Sequence, residues 1–176
     1  DVALTRNYYL KAEDKSTMDF NLAIKSLQWS TLEGLSMGAI RNGKGYLNGN
    51  VKIGNKPTSP DIDGQLGFNE TSMVINMLNS EFKIDNEQII AVENKGLRFN
   101  SFTIRDSSEN RLTINGVANT TNYLNYTFDL SLQAKNFRAL NTNKKNNDLY
   151  YGQVYFDTNV KITGTETAPV VDGTLR

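Results

Sequence analysis

Neither cysteine nor histidine occurs among the 176 residues of this chain. The absence of cysteine excludes disulfides and thiolate metal sites. The absence of histidine removes the commonest general base and metal ligand, and with it every Ser-His or Cys-His catalytic pair. Only carboxylates remain as catalytic groups, so we expect a protein that is not an enzyme and that uses no metal or cofactor.

The chain also lacks net charge and long apolar segments. Lys and Arg together number 19, as do Asp and Glu, so no net field attracts nucleic acid, which we do not expect as a partner. No run approaches the ~20 apolar residues of a membrane-spanning helix, and no signal peptide is visible. Because the chain begins with Asp1 rather than Met, we interpret it as a fragment of a longer protein.

Alternation of apolar and polar residues is the dominant pattern that the sequence does contain. In GQVYFDTNVKITG at 152–164, for example, apolar residues recur at alternate positions. Such alternation predicts half-buried antiparallel strands with one apolar face, rather than the continuous apolar runs of a parallel sheet. The apolar face predicted in this way contains Phe20, Leu22, Ile24, Leu47, Val51, Ile53, Ile62, Leu66, Phe68, Leu97, Phe99, Leu112, Ile114, Phe128, Leu130, Leu132, Val154, Phe156, Val160 and Ile162.

Turn-forming residues separate the alternating runs, as in RNGKG at 41–45 and RDSSENR at 105–111. Short strands with frequent turns predict an all-β protein of about a dozen strands. One segment differs, because Leu32 and Leu35 recur at helical spacing, and we predict one short helix near 31–40.

One strand-turn-strand pattern occurs twice. The segment 50–66 begins with NVKI and ends with PDIDGQL, and 109 residues later the segment 159–175 begins with NVKI and ends with PVVDGTL. Proline cannot donate to a sheet ladder, so we predict that Pro60 and Pro169 are each the first residue of a strand. We interpret the two segments as seams between β modules of a single domain that spans 1–176.

Asp61 and Asp63 are the best candidates for carboxylate chemistry, because residues two apart on a strand share a face and such a pair could bind calcium or act as acid and base. The second copy of the repeat retains Asp172 but has Val170 in place of Asp61. A catalytic pair would not be expected to lose a member between equivalent modules. We therefore interpret both aspartates as part of the solvent-facing side of a strand, and we predict no catalytic and no metal-binding residues.

The apolar face leaves two architectures open. It closes on a second sheet as a sandwich, or it stays partly open as a trough. The pattern alone favours the sandwich, because exposed apolar strips are uncommon in soluble proteins.

Three segments carry a resemblance to a known family. In their order and spacing, GYLNGNVKIGNKPTSPDIDGQLGF, LRFNSFTIRDSSENRLTINGVA and FDLSLQAKNFRALNTNKKNNDLYYGQVYFDTNVKITG resemble the repeat of the TamB family (translocation and assembly module, AsmA-like). The last segment is similar to the Bacteroidetes-type members. The resemblance covers about residues 27–175.

The resemblance implies a curved antiparallel sheet that forms a taco-like trough with an apolar interior, and this reverses the preference for a sandwich. It implies a long protein in the periplasm of a Gram-negative bacterium, anchored in the inner membrane, that carries phospholipid towards the outer membrane in a groove lined by the apolar face. It also implies an alternative role in the assembly of outer-membrane β-barrel proteins, together with a barrel partner of the BamA/TamA type.

Overall fold

The computed structural model describes residues 2–9, 17–56, 59–120, 125–144 and 151–176. Those ranges contain one helix and eleven strands. In chain order they are β1 (Val2–Tyr9), β2 (Thr17–Gln28), α1 (Trp29–Leu35), β3 (Ile40–Lys56), β4 (Ser59–Ile75), β5 (Ser80–Ile84), β6 (Ile89–Glu93), β7 (Gly96–Asp106), β8 (Arg111–Thr120), β9 (Tyr126–Thr142), β10 (Gly152–Thr165) and β11 (Ala168–Leu175).

All eleven strands belong to one sheet in which each strand is antiparallel to its neighbours. The order is β1-β2-β3-β4-β5-β7-β8-β9-β10-β11. β6 lies beside β5 in the layer, because both strands pair with β4 on one side and with β7 on the other. The prediction of an all-β antiparallel sheet is confirmed, and the described ranges contain no second sheet that would make a sandwich.

The predicted positions of the helix and of one turn differ from the structure. The helix occupies Trp29–Leu35, earlier than predicted, and no side chain caps its first turn. The segment 41–45 is not a turn but an irregular part of β3, where the pairing with β4 shifts twice. A Cβ on Gly45 would overlap the backbone carbonyl of Asn69, so this glycine permits close strand contact instead of a chain reversal.

The repeated segments form two hairpins with the same register. Val51 is opposite Gly64 in β3–β4, and Val160 is opposite Gly173 in β10–β11, 109 residues later in both strands. A Cβ built on Gly64 would lie 2.7 Å from the Val51 Cα, and one on Gly173 would lie 2.8 Å from the Val160 Cα. Each glycine therefore lets two backbones approach closely.

The two prolines of the repeat lie one residue inside their strands. β4 begins at Ser59 and β11 at Ala168, so the prediction that each proline is the first strand residue was wrong by one position. Pro60 is opposite Asn55, and Pro169 is opposite Gly164.

Three non-glycine residues with positive φ form what we call the bulge line: Glu70 (φ 48°) in β4, Ser101 (φ 51°) in β7 and Asn136 (φ 51°) in β9. Each backbone amide of the bulge line donates to a side-chain oxygen in the next segment of the sheet. The acceptors are Asn86 Oδ1 at 2.6 Å, Asn115 Oδ1 at 2.7 Å and Asp157 Oδ1 at 2.7 Å, respectively. A bulge bends its strand and increases the local twist, so the bulge line bends the sheet.

The bend brings strands that are not neighbours into contact. The ring of Phe82 in β5 stacks on that of Phe137 in β9, with centroids 5.7 Å apart, although β7 and β8 separate these strands in the sheet. The amide of Asn141 donates to the carbonyl oxygen of Leu78 at 3.1 Å. The sheet is therefore curved, as predicted, and its concave side carries the apolar face.

Candidate functional site

The concave side of the sheet, which we call the inner face, carries two rows of directly opposed residues that cross nine strands from β2 to β11. Every member is apolar or glycine. The first row is Ile24, Gly49, Leu66, Ile90, Phe99, Gly116, Leu130, Ile162 and Val171, and the second is Leu22, Val51, Gly64, Val92, Leu97, Ala118, Phe128, Gly164 and Pro169. Directly opposed residues of antiparallel strands share a face. The two rows thus form an uncharged surface that runs perpendicular to the strands.

The opposite side of the sheet, the outer face, carries the charges. Arg98 donates two hydrogen bonds to Glu93, the shorter at 2.7 Å, and Lys161 lies 3.0 Å from Asp129. The hydrogen bond from Arg98 holds the pKa of Glu93 below its usual value. This separation of charge between the two faces leaves the inner face suited to an apolar ligand and the outer face suited to water.

One end of the inner face is closed by α1 and a cluster of aromatic rings. Trp29 begins α1, and its ring lies 6.5 Å from that of Phe68, which in turn contacts Phe102 edge-on at 5.2 Å. The indole Nε1 of Trp29 donates to Thr71 Oγ1 at 3.0 Å. Both partners are buried, so this bond satisfies a polar group that desolvation would otherwise penalise.

An apolar cavity of about 380 Å³ lies in this closed end. Six strands (β4, β5, β7, β8, β9 and β10) and the turn between β4 and β5 contribute side chains to it. Its lining residues are Met73, Ile75, Leu78, Phe82, Ile84, Ile104, Leu112, Phe137, Ala139 and Phe156. None of these side chains carries a charge or a hydrogen-bonding group, so the cavity offers an apolar environment of the kind that ligand pockets provide.

A larger depression, about 730 Å³, lies at the other end of the strands. It is lined by loop and strand-end residues that include Lys95, Glu166 and several threonines. The charged and hydroxyl groups make it more polar than the cavity, so the inner face and the cavity are the stronger candidate site for an apolar ligand.

Asp106 is a buried carboxylate at the end of β7, at a position whose backbone is opposite Phe82. Its oxygens accept hydrogen bonds from the amides of Ser108 (2.7 Å) and Arg138 (2.7 Å), and from the amide and the side chain of Asn110, both at 3.0 Å. Burial alone would raise the pKa of Asp106, but these bonds outweigh it and the pKa lies below its usual value. The charge is therefore satisfied by fixed donors.

All residues of the predicted apolar face except Val154 lie on the inner face by register. Most belong to the two rows or to a neighbouring row in which Ile114, Leu132 and Val160 are opposed. Leu112 and Phe156 line the cavity. Val154 is the outlier, because it lies beyond an irregularity in the β9–β10 pairing, is 48% exposed and does not line the cavity.

Several inner-face residues were not predicted from the sequence. They include much of the core and of the cavity lining: Trp29, Met73, Phe82, Ile84, Val92, Phe102, Ile104 and Phe137. The alternation of Phe82 with Ile84 was a usable signal. Met73, Phe102 and Phe137 come after the bulges in their strands. Each bulge shifts the alternation of inward and outward side chains by one residue, and the local sequence did not indicate that shift.

The aspartates considered for chemistry have structural partners. Asp61 accepts hydrogen bonds from the side-chain amides of Asn94 (3.1 Å) and Asn55 (3.2 Å). Asp63 is exposed and lies opposite Lys52 on the outer face. Across the described ranges, no acidic cluster has the arrangement needed to hold a metal ion, and no helix has the length and apolarity that a membrane crossing requires.

The C-terminal part of the chain matches a known protein family. The family model of the TamB C-terminal domain matches residues 100–176, which include most of β7, all of β8 to β11 and the second repeat hairpin. No curated protein and no solved structure is significantly similar to the chain. The match agrees with the resemblance of the sequence segments and with the single curved antiparallel sheet. Residues 100–176 thus match the C-terminal domain of the TamB family, and this match supports the predicted membership of the chain in that family.

Proposed function

We propose that this chain shelters the acyl chains of phospholipids along its inner face, in the periplasm of a Gram-negative bacterium, as part of a protein anchored in the inner membrane. It acts by binding alone, without catalysis or a cofactor. The observation that carries the proposal is the pair of uncharged rows across nine strands.

The energetics of lipid transfer require such continuity. Each acyl methylene is worth about 0.8 kcal/mol in apolar surroundings, so a chain of about 16 carbons needs ~13 kcal/mol of apolar contact at every point of its path. An unpaired charge on that path would oppose transfer. The rows contain no charged residue, and the buried charge of Asp106 is satisfied by four hydrogen bonds at the closed end.

The length of the rows also fits an acyl chain. Strands are spaced about 4.8 Å apart, so nine strands extend roughly 38 Å along the trough. The hydrocarbon layer of a whole bilayer is about 30 Å thick, and one leaflet is half of that. The rows are therefore longer than one extended acyl chain, and the apolar cavity continues the same surface into the closed end.

Site-specific photo-cross-linking tests the proposal. We expect a photoreactive residue at Leu130, on the inner face, to capture phospholipid in cells that express the parent protein. The photoreactive residue placed instead at position Asp129, one position away on the outer face, should capture no phospholipid. Lipid capture at both positions, or at neither, would contradict the proposal.

A charge placed in the row provides a second test with a matched control. Ile162 is opposite Leu130, so Ile162→Asp should abolish lipid capture at Leu130, whereas Thr163→Asp on the outer face should leave it unchanged. Capture of nascent β-barrel protein in place of lipid would favour the alternative, in which the inner face shelters unfolded outer-membrane strands and acts with a BamA/TamA-type partner.

A further inference from the structure

The apolar cavity is larger than the gaps that packing leaves in a protein interior. Its volume is about 380 Å³, whereas protein interiors contain few voids larger than a water molecule. Of its ten lining residues, Met73 and Phe137 are buried and the other eight are half-buried. An ordered water needs about three polar partners, which these side chains do not provide. The cavity is therefore suited to an apolar ligand and not to water.

An apolar path leads from the two rows to the cavity along β8 and β9. It consists of three opposed pairs, each two residues further along the strands: Gly116 and Leu130, Ile114 and Leu132, and Leu112 and Ala134. Leu112 itself lines the cavity. At ~3.3 Å per residue the path is about 13 Å long. It runs parallel to the strands, whereas the rows run across them.

The strand beside this path, β10, adds one polar group to it. Thr158 is opposite Ala134 and is buried. Its hydroxyl donates to the carbonyl oxygen of Thr174 at 3.3 Å, so the hydrogen-bonding group is satisfied within the protein and an apolar ligand can pass it without leaving it unpaired.

On the β4–β7 side, aromatic rings fill the space between the rows and the cavity. In β7, Phe102 lies between Phe99 of the first row and Ile104 of the cavity lining. The ring of Phe102 contacts that of Phe68 at 5.2 Å and that of Phe99 at 5.8 Å, and Phe102 is only 3% exposed. A ligand on the inner face therefore reaches the cavity along β8 and β9.

We propose that the cavity is a pocket for the terminal methyl segment of a linear acyl chain, whose remainder lies along β8 and β9 and on the rows. This inference rests on the proposed function, because it assigns the cavity to the lipid that the inner face shelters. A methylene group is similar in size to a water molecule, which occupies ~30 Å³ of the liquid, so the cavity holds roughly ten methylenes. A chain too short to traverse the path leaves the cavity empty. The pocket thus makes the protein selective for long acyl chains.

A series of lysophosphatidylcholines that differ only in acyl-chain length tests the pocket. Each additional buried methylene strengthens binding by about fourfold. We expect the affinity of the wild type, measured below the micelle concentration, to rise by this factor per methylene until the chain fills the cavity. Ala139→Phe places a ring in the cavity, so the rise should stop at shorter chains. The longest chains should then bind at least about tenfold more weakly than they bind to the wild type, the effect of about two lost methylenes.

Two further variants complete this test. Ala91→Phe adds the same ring at a half-buried position of the outer face and should keep the wild-type dependence on chain length. Ala139→Leu fills less of the cavity and should stop the rise at an intermediate length, which preserves the test if the larger ring prevents folding. The wild-type dependence in folded Ala139 variants would overturn the pocket and leave lipid binding on the inner face intact. A wild type that binds no member of the series would contradict the proposed function, and the pocket with it.

The single tryptophan of the chain reports which end of the lipid enters the cavity. Trp29 belongs to the same buried cluster as Met73, which lines the cavity. Bromine quenches indole fluorescence only at short range. A lysophosphatidylcholine brominated at its terminal carbon should therefore quench Trp29, and this quenching should be lost in Ala139→Phe. One brominated beside the ester should leave the emission unchanged. Equal quenching by the two lipids, or stronger quenching by bromine beside the ester, would overturn the assignment of the cavity to the chain terminus.

Discussion

At the scale of single residues, Asp106 connects two segments that are far apart in the sequence by accepting hydrogen bonds from both. Its carboxylate binds the turn between β7 and β8 through Ser108 and Asn110, and it binds β9 through the amide of Arg138. We expect Asp106→Asn to lower the free energy of unfolding by about 2–3 kcal/mol, because buried donors then lose a charged acceptor. Urea denaturation measures this loss. The exposed Asp129→Asn should change stability by less than about 0.5 kcal/mol.

The same carboxylate predicts a dependence of stability on pH. The folded-state pKa of Asp106 lies below its ordinary value of 3.8, so the folded protein binds the proton less readily than the unfolded chain. The stabilisation is complete above the ordinary pKa and is lost as the pH falls through the folded-state pKa. The stability difference between wild type and Asp106→Asn should therefore be constant near neutral pH and shrink in acid. A difference that grew below pH 4 would contradict this assignment.

The bond between Trp29 and Thr71 yields another prediction at this scale. Thr71→Val keeps the shape of the side chain but removes the acceptor of the buried indole N–H. We expect a loss of about 1–2 kcal/mol, and a change in the fluorescence of the chain's single tryptophan. Thr71→Ser, which retains the hydroxyl, should preserve the emission spectrum. An unchanged spectrum in Thr71→Val would show that the bond does not fix the indole.

At the scale of elements, the bulge line decides where the strands bend. The amide of Ser101 has its acceptor in Asn115 of the neighbouring strand, and the other two bulges use the same device. We expect Asn115→Ala to destabilise the protein by about 1–2 kcal/mol and to increase hydrogen exchange at the Ser101 amide. Asn100→Ala, at the exposed neighbouring position, serves as the control and should change neither quantity appreciably.

The bulge line also explains which inner-face residues could be predicted from the sequence and which could not. Alternation predicted strand character and the inner-face positions on either side of the bulges, because burial on one face imposes a period of two. It did not predict that Phe102 and Phe137 lie on the inner face. The extra residue at each bulge shifts the alternation of inward and outward side chains by one position. Ser101 and Asn136 adopt a positive φ, which the sequence did not indicate because glycine is the residue that usually marks such a conformation. The irregularity at 41–45 was mistaken for a turn because bulges and turns use the same residues.

At the scale of the whole molecule, the inner face and the cavity predict that an amphiphile stabilises the fold. A lysophospholipid that binds only the folded state should raise the unfolding free energy by about 2.7 kcal/mol at one hundred times its dissociation constant. For a protein of this size that corresponds to an increase in Tm of roughly 5–10 °C. Differential scanning fluorimetry below the micelle concentration measures it.

Two variants separate binding in the trough from general detergent effects. Ile162→Asp should reduce the increase in Tm, because it places a charge in a row of the inner face. Thr163→Asp should show the full increase, since it adds the same charge to the outer face. A similar increase in both variants would mean that the amphiphile acts elsewhere on the protein.

The bulge line has a consequence for how such a sheet varies in size. The bends at Glu70, Ser101 and Asn136 are each made within one strand and its neighbour, so curvature is specified locally and not by closure of the whole sheet. A pair of strands inserted with its own bulge would extend the trough along its axis and leave its cross-section as it was. The width and the length of the trough are thus set by separate parts of the sequence, so its length can change while the cross-section of the inner face stays the same.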